Sequence, residues 1–189
     1  MRSVERLTAH GGALLVIDVQ EKLIERIGGN EALVANTVRL IKAARLLDIP
    51  VWATEQYPKG LGPTAGAIAE LVPHRPEKLD FHCCAVPELL EQLYGRKIRH
   101  VTLAGVETHV CVAQTALELM RLGFTVQVPA DAVGSRHAID WEFGLRRLEN
   151  AGVVVSTTEA ALFEWTETAD HPRFKEISAL VKSRDAAGV

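Results

Sequence analysis

Short apolar runs alternate along the chain with longer segments whose apolar residues recur at i, i+3 and i+4, a pattern that predicts parallel strands separated by helices. Ala13–Asp18 reads as the first strand, entered from Gly11-Gly12. Leu33, Thr37, Leu40, Ile41, Ala44 and Leu47 then form one stripe of a helix that ends before Pro50. Val51–Thr54 is strand two, and Glu55–Pro63, with two Gly and two Pro, reads as a long loop. A short helix over Ala67–Leu71, a third strand around Arg75–Leu79 and a helix from Val86 to Tyr94 lead to strand four, Ile98–Ala104. Thr108–Leu122 is helical in pattern and is stopped by Gly123. Phe124–Pro129 follows as strand five, Ala138–Asn150 as a helix and Val153–Ser156 as strand six.

The expected architecture is therefore a three-layer, Rossmann-like α/β fold on a six-stranded parallel sheet ordered 3-2-1-4-5-6. Right-handed crossovers carry the C-terminal ends of all its strands to one edge. Ser156-Thr157-Thr158-Glu159 has the spacing of a capping box and predicts another helix start. A last amphipathic helix begins near Pro172 with Phe174, Ile177 and Val181 on one face. The C-terminal helices, within residues 157–189, are expected to dock on this chain or on a neighbouring subunit.

Composition narrows the class. The 189 residues are 48% apolar and 24% charged, with no linker, repeat or low-complexity tract, so one domain over 1–189 is expected. A formal charge of −3 offers no basic excess for nucleic acid. The early apolar run Ala13–Ile17 is too short to span a bilayer and lacks the flanks of a signal peptide. Three cysteines, Cys83, Cys84 and Cys111, are an odd number with two adjacent, which suits a reducing cytoplasm better than a disulfide framework.

Three residues could carry chemistry at the sheet's C-terminal edge. Gly105-Val106-Glu107-Thr108-His109-Val110-Cys111 runs from a buried strand into a helix, with Thr108 as the expected N-cap and Cys111 in the first turn. There its thiolate feels the positive end of the helix dipole, although a free Cys is commonly just a small buried hydrophobe. Asp18 ends strand one after four apolar residues and must be paired or hydrogen-bonded, unless it simply caps a helix. Lys78 ends strand three, where a solvated lysine is the ordinary alternative. Together the three supply a nucleophile, a base and a charge stabiliser. Strand three lies two strand spacings from strand one, so Lys78 must reach across strand two, and Lys59 or Arg75 are the competing partners for Asp18.

Strand-Asp, strand-Lys and Gly105-Val106-x-Thr108-x-x-Cys111, in this order, resemble the isochorismatase-like cysteine hydrolases, which include nicotinamidases and carbamoyl-amide hydrolases. Thr54-Glu55-Gln56-Tyr57-Pro58-Lys59-Gly60-Leu61-Gly62 and Asp170-His171-Pro172-Arg173-Phe174-Lys175 are similar to the isochorismatase domain-containing subgroup. The resemblance implies that Cys111 attacks a carbonyl, that Asp18 takes its proton and returns one to the leaving amine, and that Lys78 holds the carboxylate and favours the thiolate. It also implies a cis peptide between Val106 and Glu107 and an oxyanion hole from the backbone N–H groups of Glu107 and Cys111.

Nicotinamidases bind zinc through an Asp and two His between the catalytic Asp and Lys. Here that interval holds only Asp48 and His74, so no metal is expected, and no cofactor. Gln20, Tyr57 and Phe81 follow strand ends and are candidate walls for substrate, with loop packing as their alternative. His109 flanks Cys111 and is a further candidate, with surface or core placement as its alternative. Cys83 and Cys84 suit packing more than a redox pair, and Trp52, Trp141 and Trp165 suit core or interface. The leading expectation is a metal-independent cysteine hydrolase of a small amide or related carbonyl compound, cytoplasmic and homo-oligomeric, without nucleic-acid or membrane partners. The competing one is a catalytically idle relative that binds small molecules or partners through the same pocket.

Overall fold

The computed structural model describes residues 6–186. Its sheet has the strands β1 (Gly12–Ile17), β2 (Val51–Gln56), β3 (Glu77–Lys78), β4 (His100–Val106), β5 (Thr125–Pro129), β6 (Val133–Gly134) and β7 (Val154–Ser156). All pairs are parallel, in the order β3-β2-β1-β4-β5-β7, with β6 pairing the end of β4. The expected order holds, and the sheet has seven strands rather than six. The extra strand, β6, is only two residues long and carries no periodicity of its own; it forms because Val133 and Gly134 lie beside Gly105 and Val106.

The helices are α1 (Glu21–Ile24), α2 (Asn30–Leu46), α3 (Pro58–Leu61), α4 (Gly66–Ala69), α5 (Pro87–Gly95), α6 (Ala113–Arg121), α7 (Ala138–Ala151), α8 (Thr158–Thr166) and α9 (Phe174–Ala186). β1 is buried on both faces, as a central parallel strand must be. Its Leu14 and Val16 pack with α2, α4, α8 and α9, whereas Leu15 and Ile17 pack with α5, α6 and α7. Trp165 and Ile177 are buried in the first of these layers, so α8 and α9 dock on their own chain.

Four local expectations are corrected. β3 is two residues rather than Arg75–Leu79: Pro76 has no N–H, Arg75 turns to Glu55, and beyond Lys78 the chain bends until the carbonyls of Asp80 and Phe81 face the lysine ammonium. The stretch 55–63 is not all loop, because β2 continues to Gln56 and α3 forms one turn. Thr108 does not cap a helix. The peptide between Val106 and Glu107 is cis, and the Glu107 carbonyl accepts from Val110 and Val112 N–H, so Thr108–Val112 forms a π turn that leads into α6. The capping box is displaced by one residue. Asp131 Oδ1 accepts from both Thr158 N and Oγ1, leaving Thr157 as the N-cap that accepts from Ala160 N at 3.3 Å.

Candidate active site

β1, β2, β3 and the π turn bring Asp18, Lys78 and Cys111 to the C-terminal edge of the sheet. The approach of β1 to β4 depends on Gly105, where a β-carbon would stand 2.0 Å from the Ile17 carbonyl oxygen. That contact sets Asp18, the residue after Ile17, beside the turn that delivers Cys111.

Asp18 is buried, and both of its oxygens are engaged. Oδ2 accepts from Lys78 Nζ at 2.7 Å and Oδ1 accepts from Thr54 Oγ1 at 2.8 Å. Lys78 is buried too, and its ammonium also reaches Gln56 Oε1 at 2.6 Å and the carbonyls of Asp80 and Phe81 at 3.2 Å. Three N–H donors thus face four acceptors, all within the protein. Burial opposes the lysine's charge, but Asp18, with the neighbouring Cys83 and Cys111, outweighs it and holds the ammonium above its ordinary range. Of the competing partners, Arg75 pairs with Glu55 at 3.2 Å and Lys59 is exposed.

Cys111 is 7% exposed. Burial, and then the Asp18 carboxylate, push its thiol up to about 12, with Lys78 pulling in the opposite direction. The helix-end stabilisation of a thiolate expected from the chain is therefore overridden, and at neutral pH the sulfur keeps its proton. A base beside the thiol is what converts such a group into a nucleophile at the moment of attack.

The remaining candidates fall into three places. Tyr57 and Phe81 are half exposed and flank Lys78: Tyr57 N donates to the Lys78 carbonyl, and the Phe81 carbonyl accepts from Nζ. Gln20, in contrast, is buried, and its amide is committed to the loop backbone. Its Oε1 accepts from Gln56 N, and its Nε2 donates to the carbonyls of Gln56 and Gly62. These bonds fix the chain around the site and leave Gln20, if it lines the pocket, to do so without a free amide. His109 turns to Ser135, with Nδ1 3.0 Å from Oγ, and its Nε2 lies 3.8 Å from Asp140 Oδ2. Glu107 accepts from Arg136 N and Nε at 3.2 and 2.8 Å. Ser135 and Arg136 also border a cleft of about 540 Å³ between the N-terminal ends of α2 and α7, which does not include the triad.

Sequence reasoning missed Thr54 and Gln56, which hold Asp18 and Lys78 directly. The available signal was two polar residues at i and i+2 at the end of an otherwise apolar strand, a spacing that puts both on one face. Glu55, between them, points the other way to Thr64 and Arg75. Among the described residues no group of three or more His, Cys, Asp or Glu is placed to hold a metal ion. No helix among them is long and apolar enough to cross a membrane.

Comparison with known proteins places the chain in a family. Isochorismatase domain-containing protein 2 of Danio rerio is 39% identical over 183 residues, covering 96% of this chain and 92% of that protein. A solved structure described as the MAR1 ribonuclease of Caenorhabditis elegans superposes with a TM-score of 0.87 at 38% identity, covering 94% of this chain and 93% of the other. The YcaC gene product of Escherichia coli, described as an octameric hydrolase of unknown specificity, shares the fold with a TM-score of 0.83 at 21% identity, covering 99% and 100% of the two chains. The model of the isochorismatase domain matches residues 12–160, and with the relatives named here it shows that the chain belongs to the isochorismatase family, in its isochorismatase domain-containing subgroup.

Proposed function

We propose that the protein is a metal-independent cysteine hydrolase that cleaves the C–N bond of a small amide, or a related carbonyl compound, through an acyl-enzyme on Cys111. The observation that carries this reading is the buried Lys78–Asp18 pair with the Cys111 thiol beside the same carboxylate. In the forward half-reaction the Cys111 proton passes to the Asp18 carboxylate as sulfur bonds to the carbonyl carbon. The tetrahedral intermediate collapses, the C–N bond breaks, and the amine leaves with the proton from Asp18. Water, deprotonated by the same carboxylate, then hydrolyses the thioester, which releases the acid and restores the thiol. Backbone N–H groups of Glu107 and Cys111 hold the oxyanion in both halves, where loss of one donor costs roughly 3–4 kcal/mol of transition-state stabilisation.

Lys78 also bears on the substrate. Its protons are consumed by Asp18, Gln56 and two carbonyls, so it does not offer a counter-ion to a substrate carboxylate. With Tyr57, Leu79 and Phe81 exposed around it, the mouth suits a neutral amide with an apolar substituent. A homo-oligomer in the cytoplasm is part of the same reading. The oligomer is supported by this exposed apolar rim and by the octamer described for the YcaC product, and sedimentation tests it.

The raised thiol also favours a second reading, an idle family member that binds small molecules without turnover. One experiment separates the two: mass spectrometry of the protein after incubation with a panel of small neutral amides, with RNA included because of the ribonuclease relative. Acyl-Cys111 in the wild type, absent in Cys111→Ala, supports the hydrolase. No adduct and no turnover on any amide would sink it.

A further inference from the structure

The vicinal Cys83-Cys84 pair is split by the fold. Cys83 begins a single 3-10 turn, Cys83–Ala85, and is fully buried among the residues of the site, whereas the charged neighbours of Cys84 are Glu118 and Arg121 on α6. The Cys83 backbone N–H donates to Thr115 Oγ1 on α6 at 3.0 Å, which ties it to the helix that continues from the Cys111 turn. Its Sγ lies 3.4 Å from Thr54 Oγ1, the hydroxyl that bonds Asp18.

The direction of that contact follows from counting hydrogens. A threonine hydroxyl has one hydrogen and two acceptor sites. Asp18 Oδ1 can only accept from it, because the carboxylate serves as the counter-ion of Lys78 through Oδ2. With the Thr54 hydrogen on Oδ1, none remains for sulfur, so Cys83 must be the donor. The chain then runs Cys83 S–H to Thr54 Oγ1, Thr54 O–H to Asp18 Oδ1, with Lys78 N–H on Oδ2. Burial pushes the Cys83 thiol up to about 11, so it holds the hydrogen this role needs at neutral pH. The titratable groups near it are Asp18, Lys78, Cys111 and its neighbour Cys84.

We propose that Cys83 is a positioning residue for the Asp18 carboxylate, its S–H pinning the Thr54 hydroxyl rotor so that the hydroxyl hydrogen stays on Oδ1. The inference rests on Asp18 acting as the base toward Cys111. A carboxylate held at both oxygens cannot rotate away from the thiol it must deprotonate, whereas one held only by Lys78 can. Thr54 acts in the same chain, and Gln56 fixes its other end by accepting from Lys78.

Two measurements test the proposal, one of them independent of catalysis. The first is the infrared S–H stretch of Cys83, assigned by difference against Cys83→Ala. It is expected at a hydrogen-bonded frequency in the wild type and at a free-thiol frequency in Thr54→Val. A band that Thr54→Val does not move would overturn the assignment. The second is acylation of Cys111 by p-nitrophenyl acetate, followed by mass spectrometry and by nitrophenolate release. Cys83→Ala and Thr54→Val are each expected to slow acylation about tenfold at unchanged KM, and the double variant to be no slower than either single one. Cys83→Ser, which restores a donor, should recover to within about twofold of wild type. Simple packing predicts instead that Ser is no better than Ala at this buried position and that the two losses multiply, and either result rejects the role. Cys84→Ala serves as the control for cysteine loss. Failure of the hydrolase reading has a different signature, a wild-type protein that never acylates at Cys111, and the infrared band still decides the Cys83 assignment in that case.

Discussion

Lys78 Nζ lies 2.7 Å from Asp18 Oδ2 although β2 runs between their two strands. The register explains the reach: Lys78 pairs with Gln56 and Thr54 pairs with Ile17, so the lysine needs to cross only the end of β2 to meet the residue after Ile17. Both groups are buried, so neither charge has solvent to fall back on.

Lys78→Met leaves the Asp18 charge buried without its counter-ion. Removing one partner of such a pair costs about 3–5 kcal/mol, whereas removing both is much less harmful. Urea denaturation should therefore show a large loss for Lys78→Met and a partial recovery for the Asp18→Asn/Lys78→Met double variant. Turnover should fall at least about a hundredfold in each. A Lys78→Met protein with wild-type turnover would remove the lysine from the mechanism.

Alkaline pH should destabilise the fold in a defined window. Burial is the leading cause that raises Cys83, Cys84 and Cys111, to about 11, 12 and 12. An unfolded chain releases these protons near the ordinary thiol value of about 8.5. Between that value and the folded ones the native state binds more protons than the unfolded state, so stability falls as pH rises. The contribution is complete below about pH 8.5 and lost through the folded values. Lys78, also raised, acts in the same direction at higher pH. The urea midpoint should be flat on the acid side of the window and decline above it, and Cys84→Ala should reduce the slope without altering the site. A midpoint independent of pH up to 11 would show that the thiols ionise freely in the native state.

The strand order and the placing of Asp18, Lys78 and Cys111 at the sheet's C-terminal edge were legible because each depends on local pattern, whereas strand bounds such as those of β2 and β3 were not. Apolar runs mark buried parallel strands, and a polar residue that closes such a run has few places to go. What stayed hidden depends on partners distant in sequence. β6 exists only because Gly105 and Val106 lie alongside it, and the π turn replaces the Thr108 cap because the Glu107 carbonyl takes the N–H groups. Cys83 read as half of a vicinal pair. Its place in the site comes from Thr54 and Thr115, which are 29 and 32 residues away.

Chelation should leave activity intact. Between Val19 and Glu77 the chain offers only Asp48 and His74 beyond its glutamates, and Glu55, the one drawn toward the site edge, is taken up by Thr64 and Arg75. A transition metal needs three or more N, O or S donors converging on one point. Dialysis against dipicolinate should therefore not change turnover, and elemental analysis should give far less than one metal ion per chain. Stoichiometric zinc, with activity lost on chelation and regained on zinc addition, would overturn this expectation.

Gly105→Ala tests whether the approach of β1 and β4 builds the site. The residue sits at φ +123°, a conformation that side chains rarely adopt, and an added β-carbon would meet Ile17 at 2.0 Å from its carbonyl oxygen and 2.7 Å from its nitrogen. Both obstructing atoms are backbone in the central strand, so neither can swing aside. The substitution has to part β1 from β4 at the point where Asp18 and the Cys111 turn leave them. A loss of more than about 4 kcal/mol is expected, in the range reserved for backbone strain and core disruption. Gly123→Ala is the fitting control, because that glycine also has positive φ, +94°, yet has no atom within 4 Å of an added β-carbon. It should lose only what the dihedral costs. Thermal melts of the two variants should therefore differ widely, and any folded Gly105→Ala protein should show Cys111 acylation reduced more than its melting temperature alone predicts. Equal melts for the two would mean that the sheet absorbs the displacement and that the close contact at Ile17 does not set the position of Asp18.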